Sequence, residues 1–426
     1  MNYLVIGNSA AAVGAVEGIR SVDAEGKITL LAAEPDHTYS RPLISYLLAG
    51  KVGPERLDYR PADFYEKFKV EANLGQEVVA VDTAAHTVAT KAGEKFSYDR
   101  LLIATGGRPF VPEIAGLAGA RGAFTFTALD DARRIDQYLK ESAVKEAVVL
   151  GGGMIGLKAA EALLARGLQV TVVELADRLL STSFDRAASE LLEAALERRH
   201  AAVCLGGTVE KVIANNGAVS AVSLTGGREL ACQLLVVAIG VVPNVEFLKS
   251  SGLKLGRGLV VDDHLRTSAP DVYAAGDVVE GWDFLAETKR PLPILPLACR
   301  QGRIAGCNMA GRDESYLGGM PMNAIEICDL PTISVGLANA SGEPYEVLAV
   351  RNPERRTYRK VVLRENKIVG LILIGDIDRA GIFTGLIENK VDVGPIKHLL
   401  LAEEFGLLSL DSEYRKHMVS GPGIEV

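Results

Sequence analysis

A glycine-rich turn in the middle of the chain constrains the fold more than any other feature. The stretch EAVVLGGGMIGLKAAEALLARGLQVTVVE (146–174) predicts an apolar strand, a turn, a helix and a second strand. The turn carries Gly151, Gly153 and Gly156 in the spacing GxGxxG. In such a unit the glycines permit a tight turn, close approach of a pyrophosphate and packing of the helix on the strand. The pattern therefore predicts a dinucleotide-binding α/β unit.

Glu174 closes the second strand of this unit, where an acid accepts hydrogen bonds from ribose hydroxyls. The helix start, at Met154 and Ile155, offers free N–H groups and the positive end of the helix dipole to phosphates. Glu174 would repel a 2′-phosphate, and no basic residue directly follows it. Arg178 comes later and either binds pyrophosphate or packs locally. We therefore expect NAD(H) to be preferred over NADP(H).

The N-terminus predicts a second, similar unit. NYLVIGNSAAAVGAVEGIR (2–20) reads as a strand, a turn with Gly7, Ser9 and Ala12 at the three fingerprint positions, and a helix. Small residues at the second and third positions keep a close approach sterically possible. Glu34 is the acid at the end of the next strand. Two such units in one chain are typical of enzymes that pair a flavin with a nicotinamide.

Three further strands predict how the two units connect. They lie in YDRLLIATGGRPFVPEI (98–114), LLVVAIGVVPN (234–244) and TSAPDVYAAGDVVE (267–280). The first two mirror each other at the two ends of the central unit, so the chain leaves the first domain near residue 112 and returns near 243. We expect a discontinuous first domain (1–112 and 243–320), an inserted domain (113–242) and a C-terminal domain of strands and one or two helices (321–426).

These motifs, in this order, resemble the pyridine nucleotide-disulfide oxidoreductase superfamily, flavoproteins with two dinucleotide-binding domains. The resemblance implies an α/β fold with two Rossmann-like domains, the NAD(H) domain inserted in the FAD domain, and a smaller α+β C-terminal domain. FAD and NAD(H) are the implied cofactors. The C-terminal domain often forms the dimer contact in related proteins, so a homodimer and a hetero-oligomer both remain open.

The resemblance also assigns the cofactor contacts. It maps the adenosine ribose contact of FAD onto Glu34 and the ribitol contact onto Asp277. The segment LPLACRQGRIAGCNMAG (295–311) resembles the helix whose N-terminus points at the pyrimidine ring of the flavin. The other expected FAD contacts are Gly7, Ser9, Ala10, Ala11, Arg41, Pro42, Ala104, Thr105 and Gly106. The expected NAD(H) contacts are Gly151, Gly153, Met154, Ile155, Gly156, Glu174 and Gly240.

The segment YSRPLISYLLAG (39–50) resembles NADH-rubredoxin reductases and the flavin regions of assimilatory nitrite reductases. Disulfide- and peroxide-reducing branches of the superfamily carry a redox cysteine here, and Pro42 aligns with it. Only a cysteine thiolate attacks a disulfide or is oxidised to a sulfenic acid. We therefore expect hydride transfer between nicotinamide and flavin without disulfide reduction, a step that needs no protein acid or base.

Two residues of this segment are candidates near the flavin. For Arg41 the expected roles are contact with the flavin or its pyrophosphate, steering of an acidic protein partner, or a surface or interdomain ion pair. Tyr46 faces the flavin or the core, and it replaces a lysine found in some iron-sulfur-protein reductases. Pro42 and Ser45 are expected to shape the turn and cap the following helix.

The cysteines, the net charge and the apolar runs of the chain indicate where the protein resides and what it binds. The five cysteines are scattered without a CxxC, so they read as buried small hydrophobes in a reducing compartment, and no metal site is expected. A formal charge of −8 argues against nucleic acid or an anionic membrane surface as the main partner. MNYLVIG reads as a strand rather than a signal peptide, and the longest apolar runs are too short for a membrane span. We expect a cytoplasmic protein.

Two enzymatic functions remain open. The first is an NADH-dependent reductase that passes electrons to a small redox protein such as a rubredoxin. The second is a flavin-bearing subunit that exchanges electrons between NAD(H) and the iron-sulfur clusters of a partner subunit, for example by reducing NAD⁺ in an aldehyde oxidoreductase. A non-enzymatic FAD-binding protein and an oxidase or quinone reductase are further alternatives.

Overall fold

The computed structural model describes residues 1–410 and 412. The chain forms two compact units. The first contains Met1–Gly151, Ile155–Val172 and Thr208–Met320, and the second contains Gly152–Met154, Val173–Gly207 and the chain from Pro321 onward. The domain limits expected from the sequence remain predictions, and residues 411 and 413–426 of the expected C-terminal domain lie outside the described residues.

Among the described residues, strands outnumber helices, and long runs of consecutive strands separate several of the helices. From the N-terminus to residue 150 they are β1 (Asn2–Ile6), α1 (Ala10–Arg20), β2 (Lys27–Ala32), α2 (Ile44–Leu48), α3 (Phe64–Lys67), β3 (Val70–Leu74), β4 (Val78–Asp82), β5 (Thr87–Thr90), β6 (Lys95–Ser97), β7 (Arg100–Ile103), β8 (Gly107–Pro109), β9 (Ala123–Phe124), α4 (Leu129–Glu141) and β10 (Glu146–Leu150). To residue 309 they are α5 (Met154–Ala165), β11 (Gln169–Glu174), α6 (Arg186–Arg198), β12 (Ala202–Leu205), β13 (Val209–Asn215), β14 (Ala218–Leu224), β15 (Glu229–Ala231), β16 (Leu234–Val237), β17 (Val241–Pro243), β18 (Leu259–Val260), β19 (Val272–Ala274), β20 (Val279–Asp283), β21 (Thr288–Arg290) and α7 (Leu295–Met309). The last are β22 (Met322–Ile327), β23 (Leu330–Gly336), β24 (Glu346–Asn352), β25 (Thr357–Arg364), β26 (Lys367–Ile374) and α8 (Ala380–Glu388).

The first parallel sheet has the strand order β19-β7-β1-β2-β3. Strands β1, β2, β7 and β19 are almost continuous apolar runs because they are buried, whereas the edge strand β3 is partly exposed. Ile6 pairs with Ile103, and Ile103 pairs with Ala274, in parallel register. The carboxyl ends of β1, β7 and β19 therefore meet at one edge, where ligands of open α/β sheets bind.

A second parallel arrangement is built on β10. The sheet places β11, β10, β16 and β9 in that order, and Leu150 pairs with Val237. The backbone N–H of Ala238 donates to the carbonyl of Leu150 at 2.8 Å. The turn after β10 thus starts beside the end of β16, as the sequence pattern predicts for a strand-turn-helix unit.

A two-stranded antiparallel ribbon joins the outgoing and returning segments of the chain. Strand β8 pairs with β17, with Gly107 opposite Pro243. Next to the ribbon, the Thr105 hydroxyl donates to the carbonyl of Asn244 at 3.0 Å, and the Asn244 N–H donates to Gly106 at 2.9 Å. The segments around Thr105 and Asn244, which the sequence pattern relates, lie side by side.

Helices α1 and α7 pack with their backbones in contact. Two glycines on each helix, spaced i, i+4, make this approach possible. A Cβ added at any of them would overlap a backbone oxygen of the opposite helix, at 2.2 Å for Gly14, 2.3 Å for Gly18, 1.9 Å for Gly302 and 2.2 Å for Gly306. Residues larger than glycine would force the two helices apart.

The second unit contains an antiparallel sheet of order β22-β23-β26-β25-β24, with α8 packed on β26. The Asp185 carboxylate caps α6 by accepting from the Ala188 N–H at 3.0 Å. It also accepts from the Tyr358 hydroxyl at 2.7 Å and pairs with Lys360. The fold class expected from the sequence is confirmed, with parallel α/β sheets and a separate antiparallel C-terminal sheet. None of the described helices is both long and apolar enough to cross a bilayer.

The α1–α7 contact yields a stability prediction. Gly302→Ala should lower the free energy of unfolding by about 1–3 kcal/mol, because the added methyl overpacks the helix contact. Gly381→Ala on α8 is the matched control, since no described atom lies within 4 Å of its Cβ. In a helix that change is neutral or stabilising. Denaturant midpoints test the pair, and equal midpoints for the two variants would contradict the packing argument.

Candidate functional site

The turn after β1 fits a pyrophosphate. Gly7 has a φ of +121°, and a Cβ there would lie 2.2 Å from the carbonyl oxygen of Ala104. Ser9 is the N-cap of α1, and Ala10 and Ala11 form its first turn, which has no acidic side chain. The N–H groups of this turn and the positive end of the helix are available to an anion.

Asp277 follows β19 at the same sheet edge. The preceding residue, Gly276, donates its N–H to the side-chain oxygen of Gln301 on α7 at 2.8 Å. The Asp277 carboxyl is largely buried and makes no hydrogen bond with the rest of the described chain. Burial raises the pKa of Asp277 to about 6, and the positive charge of Arg41 acts in the opposite direction. A buried carboxyl without a polar partner is costly, so this position fits a ligand hydroxyl.

Glu34 is held by two residues of the 39–50 segment. The Tyr39 hydroxyl donates to one Glu34 oxygen at 2.5 Å and accepts from the Leu129 N–H at 2.9 Å. The Arg41 guanidinium donates to the other Glu34 oxygen and, at 2.9 Å, to the carbonyl of Thr127. Arg41 therefore pairs with Glu34, an acid of the same expected domain, and its contact with the flavin stays a prediction. A carboxylate oxygen accepts more than one hydrogen bond, so Glu34 retains capacity for a ribose hydroxyl.

The segment begins with a short 3₁₀ helix, Arg41–Leu43, that contains Pro42 and leads directly into α2. Because the 3₁₀ turn already starts the helical path, Ser45 lies inside α2 and does not cap it. Its hydroxyl donates to the carbonyl of Pro42 at 3.1 Å. The expected capping role of Ser45 is wrong.

Tyr46 lies next to cations. The Lys158 ammonium is 4.6 Å from the centroid of the Tyr46 ring, and the Lys51 ammonium is 5.6 Å away. Lys158 also forms an ion pair with Glu161 one turn further along α5. Lys158 is not part of any motif predicted from the sequence. Its only local signal is the i, i+3 pair with Glu161, which is common on exposed helices.

In the central turn, the geometry at each glycine of the fingerprint fits the role expected for it. Gly151 has a φ of +117°, and a Cβ there would lie 2.3 Å from the carbonyl oxygen of Ala238. A Cβ at Gly156 would lie 2.0 Å from the oxygen of Gly151, so helix and strand touch. No described atom lies within 4 Å of a Cβ built at Gly153, which leaves that position open to a phosphate. The residues fit a dinucleotide.

The Glu174 carboxylate is fixed by the backbone. One oxygen accepts from the Gly152 N–H at 2.6 Å, and the other accepts from the Ala176 N–H at 2.7 Å. All three groups of the Arg178 guanidinium are engaged locally, with Asp177 and with the carbonyl oxygens of Ser181 and Phe184. The local packing that was one of the expectations for Arg178 is present, and pyrophosphate binding stays a prediction.

The other predicted NAD(H) residues lie at the start of α5 and after β16. Met154 and Ile155 are the first two residues of α5. Gly240 follows β16, and no described atom lies within 4 Å of a Cβ built there. Its carbonyl accepts from the Phe110 N–H at 2.9 Å.

The cysteines lie outside the 39–50 segment and form no disulfide. Cys232, Cys307 and Cys328 are buried, and the other two are partly exposed. One group of possible metal ligands, Asp262–Asp263–His264, brings one atom from each residue within 4.8 Å of the others at a largely exposed turn. Exposed acidic groups of this kind are common without an ion, and the absence of a metal site stays a prediction.

Comparisons with known proteins agree with this geometry. Residues 1–302 match the pyridine nucleotide-disulphide oxidoreductase family, and residues 321–391 match the rubredoxin NAD⁺ reductase C-terminal domain. The chain is 32% identical over 403 residues to the NADH-dependent phenylglyoxylate dehydrogenase subunit epsilon of Aromatoleum evansii, covering 94% of both. It is 30% identical over 364 residues to the rubredoxin-NAD(+) reductase of Pseudomonas putida, covering 82% of this chain and 93% of the relative. The solved NAD-dependent persulfide reductase from A. fulgidus superposes with a TM-score of 0.85 at 27% identity, covering 94% of this chain and 79% of that one.

The buried Asp277 yields a pH prediction for the flavin-free protein. Its folded-state pKa, about 6, lies above the ordinary value of 3.8. The folded state therefore stays protonated to a higher pH than the unfolded state. The free energy of unfolding of the wild-type chain falls as the pH rises from about 4 to 6. Asp277→Asn removes this loss, so the variant should gain about 2–3 kcal/mol over wild type above pH 7 and almost nothing near pH 4. Urea midpoints at the two pH values measure the gain.

The control for this experiment is Asp378→Asn, which changes an exposed aspartate. Its effect on the midpoint should be small and independent of pH. A gain for Asp277→Asn that is the same at both pH values, or a loss at neutral pH, would contradict the assignment of a buried, unpartnered carboxyl.

Proposed function

Since the chain belongs to the pyridine nucleotide-disulphide oxidoreductase family, we propose that it is an FAD-dependent NAD(H) oxidoreductase that exchanges electrons with a redox protein and does not reduce disulfides. The bound flavin supplies the hydride chemistry and the link to a one-electron acceptor. The protein contributes binding, orientation and electrostatics at the two turns described above.

The FAD assignment draws on three features of the first unit. The Gly7 turn and the first turn of α1 would hold the pyrophosphate through backbone N–H groups. Asp277 would accept a ribitol hydroxyl, which gives its buried carboxyl the partner it lacks. Glu34, fixed by Tyr39 and Arg41, would accept from the adenosine ribose.

The preference for NAD(H) follows from the charge at the second turn. Glu174 points both oxygens at backbone donors and places a negative charge where a 2′-phosphate would lie. Arg178 is engaged locally and is not available to neutralise a phosphate. Discrimination against NADP(H) is the expected result.

The observation that carries the proposal is the set of residues in the 39–50 segment, which includes no cysteine. By the resemblance, Pro42 aligns with the redox cysteine of the disulfide-reducing branches, and no residue of the segment has a thiol. Tyr39 and Arg41 are committed to Glu34, and Tyr46 lies against Lys158. The similar persulfide reductase means that the fold itself is compatible with sulfur chemistry. The missing thiol, and not the fold, therefore disfavours disulfide reduction in this chain.

A small redox protein is the partner that we favour. The similar rubredoxin-NAD(+) reductase is covered over 93% of its length, and the C-terminal domain model carries the same name. We place the protein in the cytoplasm, because five cysteines without a disulfide suit a reducing compartment.

A second candidate is an electron-transfer subunit of a larger enzyme. The relative that supports it is a subunit of an NADH-dependent dehydrogenase, and it matches this chain over 94% of both lengths. In that role the flavin would exchange electrons between NAD(H) and the iron-sulfur clusters of a partner subunit. Purification from the native source at low salt separates the candidates, since co-elution with iron-sulfur subunits favours the second and elution alone favours the first.

The direct test is an anaerobic acceptor assay. NADH should bleach the flavin, and a rubredoxin or ferredoxin should then oxidise it in repeated turnover. NADPH should be a poorer donor, with kcat/KM lower by about tenfold or more, which corresponds to about 1.4 kcal/mol of lost binding. Coenzyme A disulfide and polysulfide should give no turnover above the blank. Turnover of either sulfur substrate, or a flavin that NADH leaves oxidised, would contradict the proposal.

A further inference from the structure

The turn after β1 is hydrogen-bonded to the loop after β2 through Asn8. This residue occupies the variable position between Gly7 and Ser9 of the first fingerprint. Its side-chain N–H donates to the carbonyl of Asp36 at 3.1 Å, and its side-chain oxygen accepts from the Tyr65 hydroxyl at 2.8 Å. Both polar ends of the Asn8 side chain therefore bind residues outside the turn.

Tyr65, on α3, joins the turn and the loop a second time. Its hydroxyl accepts from the backbone N–H of Thr38 at 3.1 Å. Its ring packs edge-on against the ring of His37, with 4.9 Å between the centroids. The neighbouring Phe64 is buried in the core of the unit and anchors α3. Because a tyrosine hydroxyl can donate and accept at the same time, Tyr65 bonds Asn8 and the loop together.

The loop at residues 36–38 depends on such bonds. The Thr38 hydroxyl oxygen and the Nε2 atom of His37 are buried and have no hydrogen-bond partner among the described residues. Burial of unpartnered polar atoms is unfavourable, so other contacts must stabilise the conformation of the loop. The hydrogen bonds from Asn8 and Tyr65 are among these contacts.

The loop lies beside two expected contacts of FAD. The turn that contains Asn8 is the expected site of the pyrophosphate. Glu34, which precedes the loop, is the acid expected to bind the adenosine ribose. At its other end the loop leads into Tyr39, whose hydroxyl donates to Glu34 at 2.5 Å. Asn8 and Tyr65 thus connect the expected pyrophosphate turn to the loop whose two ends hold the ribose acid.

We propose that Asn8 and Tyr65 form a clamp that fixes the spacing between the pyrophosphate turn and Glu34, and that the clamp thereby favours binding of the ADP half of FAD. Tyr65 is a positioning residue, because it acts on the cofactor through Asn8 and through the loop at residues 36–38. The inference rests on the proposed function, since it takes FAD as the cofactor of this unit.

The test is the affinity of the flavin-free chain for FAD, followed by flavin fluorescence. Tyr65→Phe keeps the ring and removes only the hydroxyl. The dissociation constant for FAD should rise roughly tenfold, the change expected when a buried hydrogen bond is lost and its partners stay unpaired. The inhibition constant of ADP against FAD should rise by the same factor, because ADP contains both groups that the clamp aligns. Competition with FAD leaves out any ADP bound at the second turn.

Tyr3→Phe is the matched control. Tyr3 lies near the start of β1, at the opposite end of the strand from the turn, and its hydroxyl donates to Asp23 at 2.9 Å. The same substitution therefore removes a hydrogen bond of similar length without touching the clamp. Both the FAD dissociation constant and the ADP inhibition constant should match those of the wild-type chain.

Asn8→Ala tests the other half of the clamp. It should weaken FAD and ADP in the same direction as Tyr65→Phe. The double variant should lose less than the product of the two single factors, because both changes break the same hydrogen bond. If Tyr65→Phe fails to fold, Asn8→Ala carries the test alone. At saturating FAD, both variants should keep the wild-type flavin absorption spectrum and midpoint potential, since the clamp acts on the ADP half of the cofactor.

Two results would overturn the inference. One is an FAD dissociation constant in Tyr65→Phe or Asn8→Ala that equals the wild-type or Tyr3→Phe value. The other is a weaker FAD affinity with an unchanged ADP inhibition constant, or with a shifted midpoint potential and a lower melting temperature, which would assign Tyr65 a structural role only. A wild-type flavin that NADH does not bleach would instead defeat the proposed function, and the titrations with FAD and ADP, which contain no NADH, would still decide the role of Tyr65.

Discussion

The backbone contact between α1 and α7 is the interaction on which the first unit depends. Gly14 and Gly18 on one helix and Gly302 and Gly306 on the other leave no Cβ at four positions where the opposite backbone comes closest. Because α1 starts directly after the Gly7 turn, this packing sets where α7 lies relative to the turn. Gln301 on α7 in turn binds the backbone N–H of Gly276 and so fixes the start of the Asp277 loop. One steric condition therefore positions the pyrophosphate turn and the buried carboxyl together.

The 39–50 segment is the second organising element, and its role is electrostatic. Arg41 pairs with Glu34 and lowers the cost of the buried Asp277 carboxylate, so one guanidinium serves the two acids assigned to opposite ends of FAD. The other end of the segment rests against Lys158 on α5. A segment without a thiol, a histidine or a carboxylate thus carries much of the charge arrangement around the proposed flavin. This suits a site where the protein orients cofactors and the chemistry belongs to the flavin.

The features that the sequence predicted well involve residues that lie close together in the chain. The turn glycines Gly7 and Gly151, the strands before them and the helices after them follow from patterns within about 30 residues of each unit, and the fold class is confirmed. The missed features depend on side-chain packing. Tyr46 and Lys158 lie more than 100 residues apart in the chain, and a lysine two residues after a fingerprint has no distinguishing local pattern. The Tyr39–Glu34–Arg41 group is close in sequence, but its hydrogen bonds depend on how the 39–50 segment folds back onto Glu34. Ser45 was misplaced because the 3₁₀ turn at Pro42 starts the helix earlier than a capping rule assumes. The cofactor contacts and the domain limits remain predictions.

The central claim is that electrons leave this flavin without a thiol relay, and alkylation tests it most directly. The holoprotein is treated with a thiol-alkylating reagent until mass spectrometry shows modification of the accessible cysteines, and is then mixed with NADH and an oxidised redox protein in a stopped-flow instrument. The account predicts that flavin bleaching and the following oxidation by the acceptor proceed at the rates of untreated protein. Loss of either phase on alkylation, with flavin still bound, would contradict it and point to a cysteine in the electron path.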